Sequence, residues 1–154
     1  MEMAPITIAL GPGFSAGFDV NYVVETMRGH NLARVITQGF ALPNTGVPGV
    51  IAGVGKERVI HSPAAGVIRI QSEISDLVKK DQVLAMVGEV PVRATISGVL
   101  RGIIRDGYCV WKGMKIADID PRETERDNCF TISDKARCIA GSVLEIIMSE
   151  KIFP

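Results

Sequence analysis

The 154-residue sequence has no apolar run approaching the roughly 20 residues of a membrane-spanning helix, because Gly, Pro or charge interrupts every candidate. It has no excess of either charge: Lys+Arg and Asp+Glu both number 17, which removes the electrostatic basis for binding nucleic acid or an anionic membrane. Histidine occurs only as His30 and His61, and the three cysteines, Cys109, Cys129 and Cys138, form no CxxC pair. Such a set supplies no metal site, and unpaired thiols suit a reducing compartment, where they are expected to be buried structural residues. No G-x-S-x-G frame surrounds Ser15, Ser97 or Ser133, so nucleophilic catalysis has little support. The opening "MEMAPITIALGPG" has an acidic residue where a signal peptide has basic ones, and Gly-Pro soon ends its apolar stretch. A cytoplasmic location is the expectation.

What is present is globular material: 47% of residues are hydrophobic and 22% charged. The sequence predicts a mainly β (α+β) fold in three zones. Residues 1–55 form a glycine-rich strand-loop-helix element, 56–120 a β-rich repeat, and 121–154 a connector with a C-terminal helix. In the first zone "ITIAL", Ile6 to Leu10, reads as a buried strand leading into the loop "GPGFSAG". Asp19 is placed to cap a helix whose apolar residues Val20, Val23, Val24 and Met27 recur at helical spacing, with Gly29 at its end. "ARVITQGF", Ala33 to Phe40, resumes strand character. In the last zone Ser133 or Asp134 caps a helix with an apolar stripe of Ala136, Ile139, Ala140, Val143, Leu144 and Ile147, predicted to pack on the β-rich zone.

The middle zone repeats itself. Residues 61–87 laid over 93–119 need no gap, and the identities are Gly66/Gly98, Val67/Val99, Arg69/Arg101, Val78/Val110, Lys80/Lys112 and Ala85/Ala117. Each half alone has a few short strands that cannot bury two faces, so the halves are expected to interlock around a pseudo-twofold axis into one closed β structure.

Three turns are candidate binding elements. Gly11, Gly13 and Ala16 satisfy a loose G-x-G-x-x-A pattern between a strand and a predicted helix, where backbone N–H groups favour a phosphate or other anion. Against this, Pro12 removes a donor and no acidic residue ends a second predicted strand about 20 residues on. A tight structural turn is the competing reading. Arg28, Gly29 and His30 close the predicted helix, and His30 there is free to bind an anion or donate a proton. Asn44, Thr45 and Gly46 read as a turn, with the glycine loop's pocket as a second role. The candidate ligand-binding set is Gly11, Gly13, Phe14, Ser15, Gly17, Arg28, Gly29, His30, Asn44, Thr45 and Gly46.

The repeat "SPAAGVIRI…DLVKKDQVLAMV", "RATISGVLRG…YCVWKGMKIADI" resembles the biotinyl/lipoyl-type barrel-sandwich hybrid of two tandem halves. Asp81 stands where that family's first half has a glycine, and the joining hairpin reads Glu89-Val90-Pro91-Val92 where the family has its modified lysine. No covalent biotin or lipoate is therefore expected, and the nearby Lys79, Lys80 and Lys112 read as solvated charges. A resemblance covering nearly the whole chain is carried by "ALGPGFSAGFDVNYVVETMRGHNLARVI", "NTGVPG", "RVIHSPAAGVI", "VPVRATISGVLRGIIRDG", "KGMKIADIDPR" and "CFTISDKARCIAGSVLE". These are similar to the C-terminal part of the YqeB family, accessory proteins associated with selenium-dependent molybdenum hydroxylases. That resemblance implies an accessory role in maturation or cofactor handling, with the hydroxylase or its maturation factors as partners. Longer members also resemble a Rossmann-type domain upstream; any activity that depends on it would come from another chain, a separate Rossmann-type partner, or be absent here. The alternative is a protein–protein interaction module without a ligand site. The cofactor is unnamed by the sequence, and homo-oligomerisation stays open.

Overall fold

The computed structural model describes residues 4–150; the first three residues of the opening stretch and the last four of the C-terminal helical pattern lie outside it. Two units emerge, one comprising Met1–Gly46 with Ile132–Pro154 and the other Val47–Thr131.

In the first unit β1 (Ile8–Leu10) runs parallel to β3 (Tyr22–Val24), which also pairs antiparallel with β4 (Val35–Ile36). Between them β2 (Ser15–Ala16) pairs with β5 (Gly39–Phe40) as a two-stranded ribbon. The helix expected from Val20 onward is thus absent: the strand-loop-helix element is strand-loop-strand. Val23 and Val24 are both fully buried because β3 is the central strand, covered on both of its faces. One face is closed by Ala9, Ala16, Val20, Val23 and Ala41, with Ile36 against them. Adjacent buried valines imitate helical spacing, and the β-branched Val-Val pair favours the strand. Asp19 caps no helix; its carboxylate accepts from the Ser15 N–H at 2.8 Å and closes a tight turn.

The one α-helix among the described residues, α1 (Asp134–Ser149), starts at Ser133, whose hydroxyl oxygen accepts from the Ala136 N–H at 3.2 Å. It packs within this first unit, against β3. The Ser142 hydroxyl donates to the Ala33 carbonyl and Ile146 is buried, whereas Leu144, expected in the buried stripe, is 58% exposed.

The second unit consists of the repeat. After a short 3-10 turn, Lys56–Arg58, come β6 (Val59–His61), β7 (Gly66–Ile70), β8 (Leu77–Val78) and β9 (Val83–Val87). Then follow β10 (Val90–Arg93), β11 (Gly98–Ile103), β12 (Cys109–Val110) and β13 (Lys115–Asp120). They form two four-stranded sheets, β10-β9-β7-β12 and β6-β13-β11-β8. Each sheet borrows its short edge strand from the other half, so neither half completes a sheet alone. The exchange is repeated bond for bond. Ser75 N–H donates to Leu100 O at 2.9 Å and Gly107 N–H to Ile68 O at 2.9 Å; Asp81 N–H donates to Ala94 O and Gly113 N–H to Ser62 O, both at 2.8 Å. Between the sheets lies one apolar core built from both halves, including Ile68, Leu84, Val87, Leu100, Val110 and Ile119.

The turns of the two halves match in conformation where they differ in sequence. Ser75 and Asp81 adopt φ of +84° and +68°, and their repeat partners Gly107 and Gly113 adopt +75° and +86°. A left-handed backbone costs a non-glycine residue about 1–2 kcal/mol, partly offset by the entropy that glycine loses on folding. Ser75→Gly is therefore expected to stabilise the chain by up to about 1 kcal/mol, read as a higher urea midpoint at constant slope. An unchanged or lower midpoint contradicts this strain at the turn.

Cys109 and Cys138 are exposed and Cys129 is half-buried, so the thiols are not the buried structural residues expected from composition.

Candidate functional site

The candidate residues lie in three segments of the first unit, all leaving short strands. Gly11 follows β1 directly, is buried, and donates its N–H to Val24 O at 2.9 Å. Its φ is +77°, and a Cβ there would fall 2.6 Å from the Thr26 hydroxyl, so the glycine loop lies against the segment that leaves β3. Because β1 and β3 are parallel, both loops leave the same end of the sheet, the carboxyl end, where open α/β sheets place their ligands.

Glu25 organises these segments. It follows β3, is 3% exposed, and its carboxylate accepts from the Met27 N–H at 2.7 Å and from the Leu42 N–H at 2.8 Å. One oxygen thereby fixes the start of the loop carrying Arg28, Gly29 and His30; the other fixes the segment that leads into Asn44, Thr45 and Gly46. Burial alone would raise the Glu25 pKa, but backbone donors at Leu42, Met27 and Thr26, with the Lys135 charge, leave it net lowered. Helical spacing places Glu25 within a helix, which would exclude it as the acid ending a second strand. It does end the strand parallel to β1, but its carboxylate is turned inward and satisfied by amides, so it cannot serve a ligand hydroxyl.

Within the glycine loop the Ser15 N–H is taken by Asp19, and the Ser15 carbonyl accepts from the N–H groups of Phe18, Asp19 and Val20. The Gly17 N–H donates to Val20 O at 2.8 Å. Gly13, at φ +112°, is exposed with nothing near its Cβ position, and the Pro12–Gly13 turn directs the Phe14 N–H back toward the Gly11 carbonyl. The Gly13 amide is the donor the loop offers. With no helix behind the loop, no helix dipole adds to it.

Arg28 does not close a helix either. Its guanidinium makes a two-pronged pair with Asp134 at the start of α1, with N–O distances of 3.1 and 3.2 Å. The Arg28 hydrogen bond and the Lys135 N–H draw the Asp134 pKa down to about 2, and Arg28 is raised in turn. Both side chains are more than 60% exposed, so the pair is weakly held and exchangeable. Gly29, at φ +126°, accepts at its carbonyl from the Leu32 N–H, and His30 is exposed. In the third segment the Asn44 side chain accepts from the Gly46 N–H at 3.0 Å, an Asx turn with Gly46 at φ +66°.

Sequence reasoning misses Asp19, Glu25 and Asp134 as organisers of these loops. The one signal is an acidic residue set in the apolar run "VVETM". In the second unit the β9–β10 hairpin turns on Gly88 and Glu89, with Val87 paired to Val90. Its tip carries a carboxylate and no amine.

No group of His, Cys, Asp or Glu among the described residues is arranged to hold a metal ion, and no helix among them is long and apolar enough to cross a membrane. Fold and loops together define a β-rich α+β protein in which two of the candidate loops leave one end of a small sheet and the third follows the β2–β5 ribbon. The chain belongs to the YqeB family: it is 53% identical over 148 residues to the uncharacterized protein YqeB of Escherichia coli (strain K12). That match covers 96% of this chain and 27% of the relative, so the chain spans about a quarter of the protein it matches. No protein-family model matches. Among solved structures, an aspartoacylase family protein from Mesorhizobium loti aligns at a TM-score of 0.39 and 13% identity, covering 51% of this chain and 32% of its own. The ectoine utilization protein EutE (DoeB) from Ruegeria pomeroyi aligns at 0.36 and 20%, covering 56% and 28%. Neither likeness bears on what this chain does.

Proposed function

We propose that the chain is a non-catalytic accessory module serving maturation or cofactor handling of a selenium-dependent molybdenum hydroxylase, and that it receives an anionic ligand on the loops of its first unit. Family membership and the resemblance it extends support the accessory role. The observation that carries the ligand site is the single buried Glu25 carboxylate, which holds two of the three candidate segments while Gly11 and Thr26 bring in the third. Gly13 offers its amide to the anion, and His30 is exposed nearby in sequence. Arg28 joins by exchanging Asp134 for the ligand, at small cost because the pair is exposed.

Isothermal titration with phosphate, nucleotides and molybdopterin-type ligands tests this. Arg28→Ala is expected to weaken binding by about tenfold, the value of one charge-assisted contact. Asp134→Ala, by releasing Arg28, is expected to tighten it by up to about fivefold. Absence of heat with every ligand, or two silent variants, would remove the site.

A second reading, a protein–protein interaction module, is favoured by a different observation: Phe14, Phe18 and Phe40 are 49%, 81% and 71% exposed. A pull-down that retains a hydroxylase or maturation factor after mutation of the glycine loop would support it over the first.

A further inference from the structure

The ribbon of β2 and β5 buries one side and leaves the other apolar and bare. Ala16 and Ala41 point into the first unit's core, while Phe40 and Leu42, which alternate with Ala41 along the chain, are 71% and 50% exposed. Ser15 lies directly across from Phe40, and exposed Phe14 and Phe18 flank the Ser15–Ala16 strand. Three of the chain's five phenylalanines are therefore exposed on or beside this short ribbon, Phe40 on its outer side and Phe14 and Phe18 at the two ends of the partner strand. Phenylalanine has no polar group to keep in water, so such a cluster marks a surface that is covered in use.

We propose that this ribbon is the docking face for the portion of a YqeB-length polypeptide that the chain does not span. The occupant is indicated by length and charge. The relative carries its 53%-identical counterpart inside a chain of which the match is only 27%, so there this unit is permanently tethered to the remainder. A tethered neighbour meets the face at high effective concentration and needs little intrinsic affinity to cover it. An anionic membrane is a poor occupant, because residues 1–46 hold only Arg28 and Arg34 against Glu2, Asp19 and Glu25, with no basic cluster, and the ribbon's turn carries Asp19. The inference rests on the interaction reading above and shares Phe14 with the candidate anion loop, so its test substitutes Phe18 and Phe40, which the anion site does not use.

The test is a full-length chimera in which this chain replaces the matched segment of Escherichia coli YqeB, compared with the free chain by amide hydrogen exchange. Peptides spanning residues 14–20 and 38–42 are expected to exchange at least tenfold more slowly in the chimera. Phe18→Ser with Phe40→Ser is expected to abolish that protection in the chimera while leaving the free chain's melting temperature essentially unchanged. Equal exchange in chimera and free chain would overturn the proposal. So would light scattering that shows the free chain to be a dimer dissociated by the same double variant, because the occupant would then be a second copy. A failed phosphate titration with intact protection would sink the ligand site alone.

Discussion

Gly98→Ala is expected to cost about 3–5 kcal/mol and to leave most of the chain unfolded or insoluble at physiological temperature. Gly98 opens β11 at φ +151°, and a Cβ there would sit 2.1 Å from the Asp120 carbonyl oxygen and 2.9 Å from its carbon. Both obstacles are backbone of β13, the strand that pairs with β11 through Val99 and Asp120, so no side chain can swing aside. The same strand end pairs Gly98 with Val78 of the other half, so separating β11 from β13 strikes the exchange that joins the halves. Gly66 is the repeat partner and has nearly the same φ, +153°, but its nearest obstacle is the Val87 methyl Cγ1 at 3.2 Å. That side chain can yield, and Gly66→Ala is expected to cost about 1–2 kcal/mol. Urea unfolding of the two variants measures the difference; equal losses would mean that the Asp120 contact does not set the requirement for glycine.

Glu25→Ala is expected to cost about 2–4 kcal/mol. It leaves the Met27 and Leu42 amides without the charged acceptor on which they converge, and each of these half-buried hydrogen bonds is worth about 1–2 kcal/mol. Glu25→Gln retains one acceptor but presents an NH₂ to the other amide, so about half the loss is expected. The charge also makes stability depend on pH. The Glu25 pKa is below its ordinary 4.5 in the folded chain, so its contribution is complete above that value and is lost as pH falls through the lowered one. Asp120, held down by its hydrogen bond with Arg122, and Asp134, drawn to about 2 by Arg28, act in the same direction. Stability is therefore expected to fall between about pH 4.5 and pH 2, less steeply in Glu25→Gln, as read by urea midpoints across that range. A midpoint flat to the bottom of that range would contradict the carboxylate assignments.

The repeat was legible because its turns impose rare backbone conformations. Gly66 and Gly98 are identical residues for that reason, and the closing turn of each half recurs as Asp81 and Gly113. Identity understates the symmetry, since Ser75 and Asp81 take the glycine-like φ of their partners at the expense of strain. The strand β3 was not legible: a central strand buries consecutive residues, and Val20, Val23, Val24 and Met27 then mimic a helix. α1 was legible with its cap, but its buried stripe is narrower than hydrophobicity suggests, because Leu144 is exposed where Ser142 and Ile146 are buried. Of the loops, the sequence revealed the turns but not what ties them. Glu25 reaches Leu42 across 17 residues and Arg28 reaches Asp134 across 106, and pairings of that range leave no local pattern.

The repeat supplies a symmetric scaffold whose hairpin carries Glu89 and no amine, and the first unit supplies loops set by Glu25 and a bare aromatic ribbon. The most direct test is a ¹H–¹⁵N correlation spectrum of the intact chain titrated with phosphate and then with a molybdopterin-type ligand. Shifts concentrated at Gly13, Phe14, Arg28 to His30 and Asn44 to Gly46, with residues 47–131 silent, are the predicted result. Shifts confined to residues 47–131, or none at saturating ligand, would contradict it.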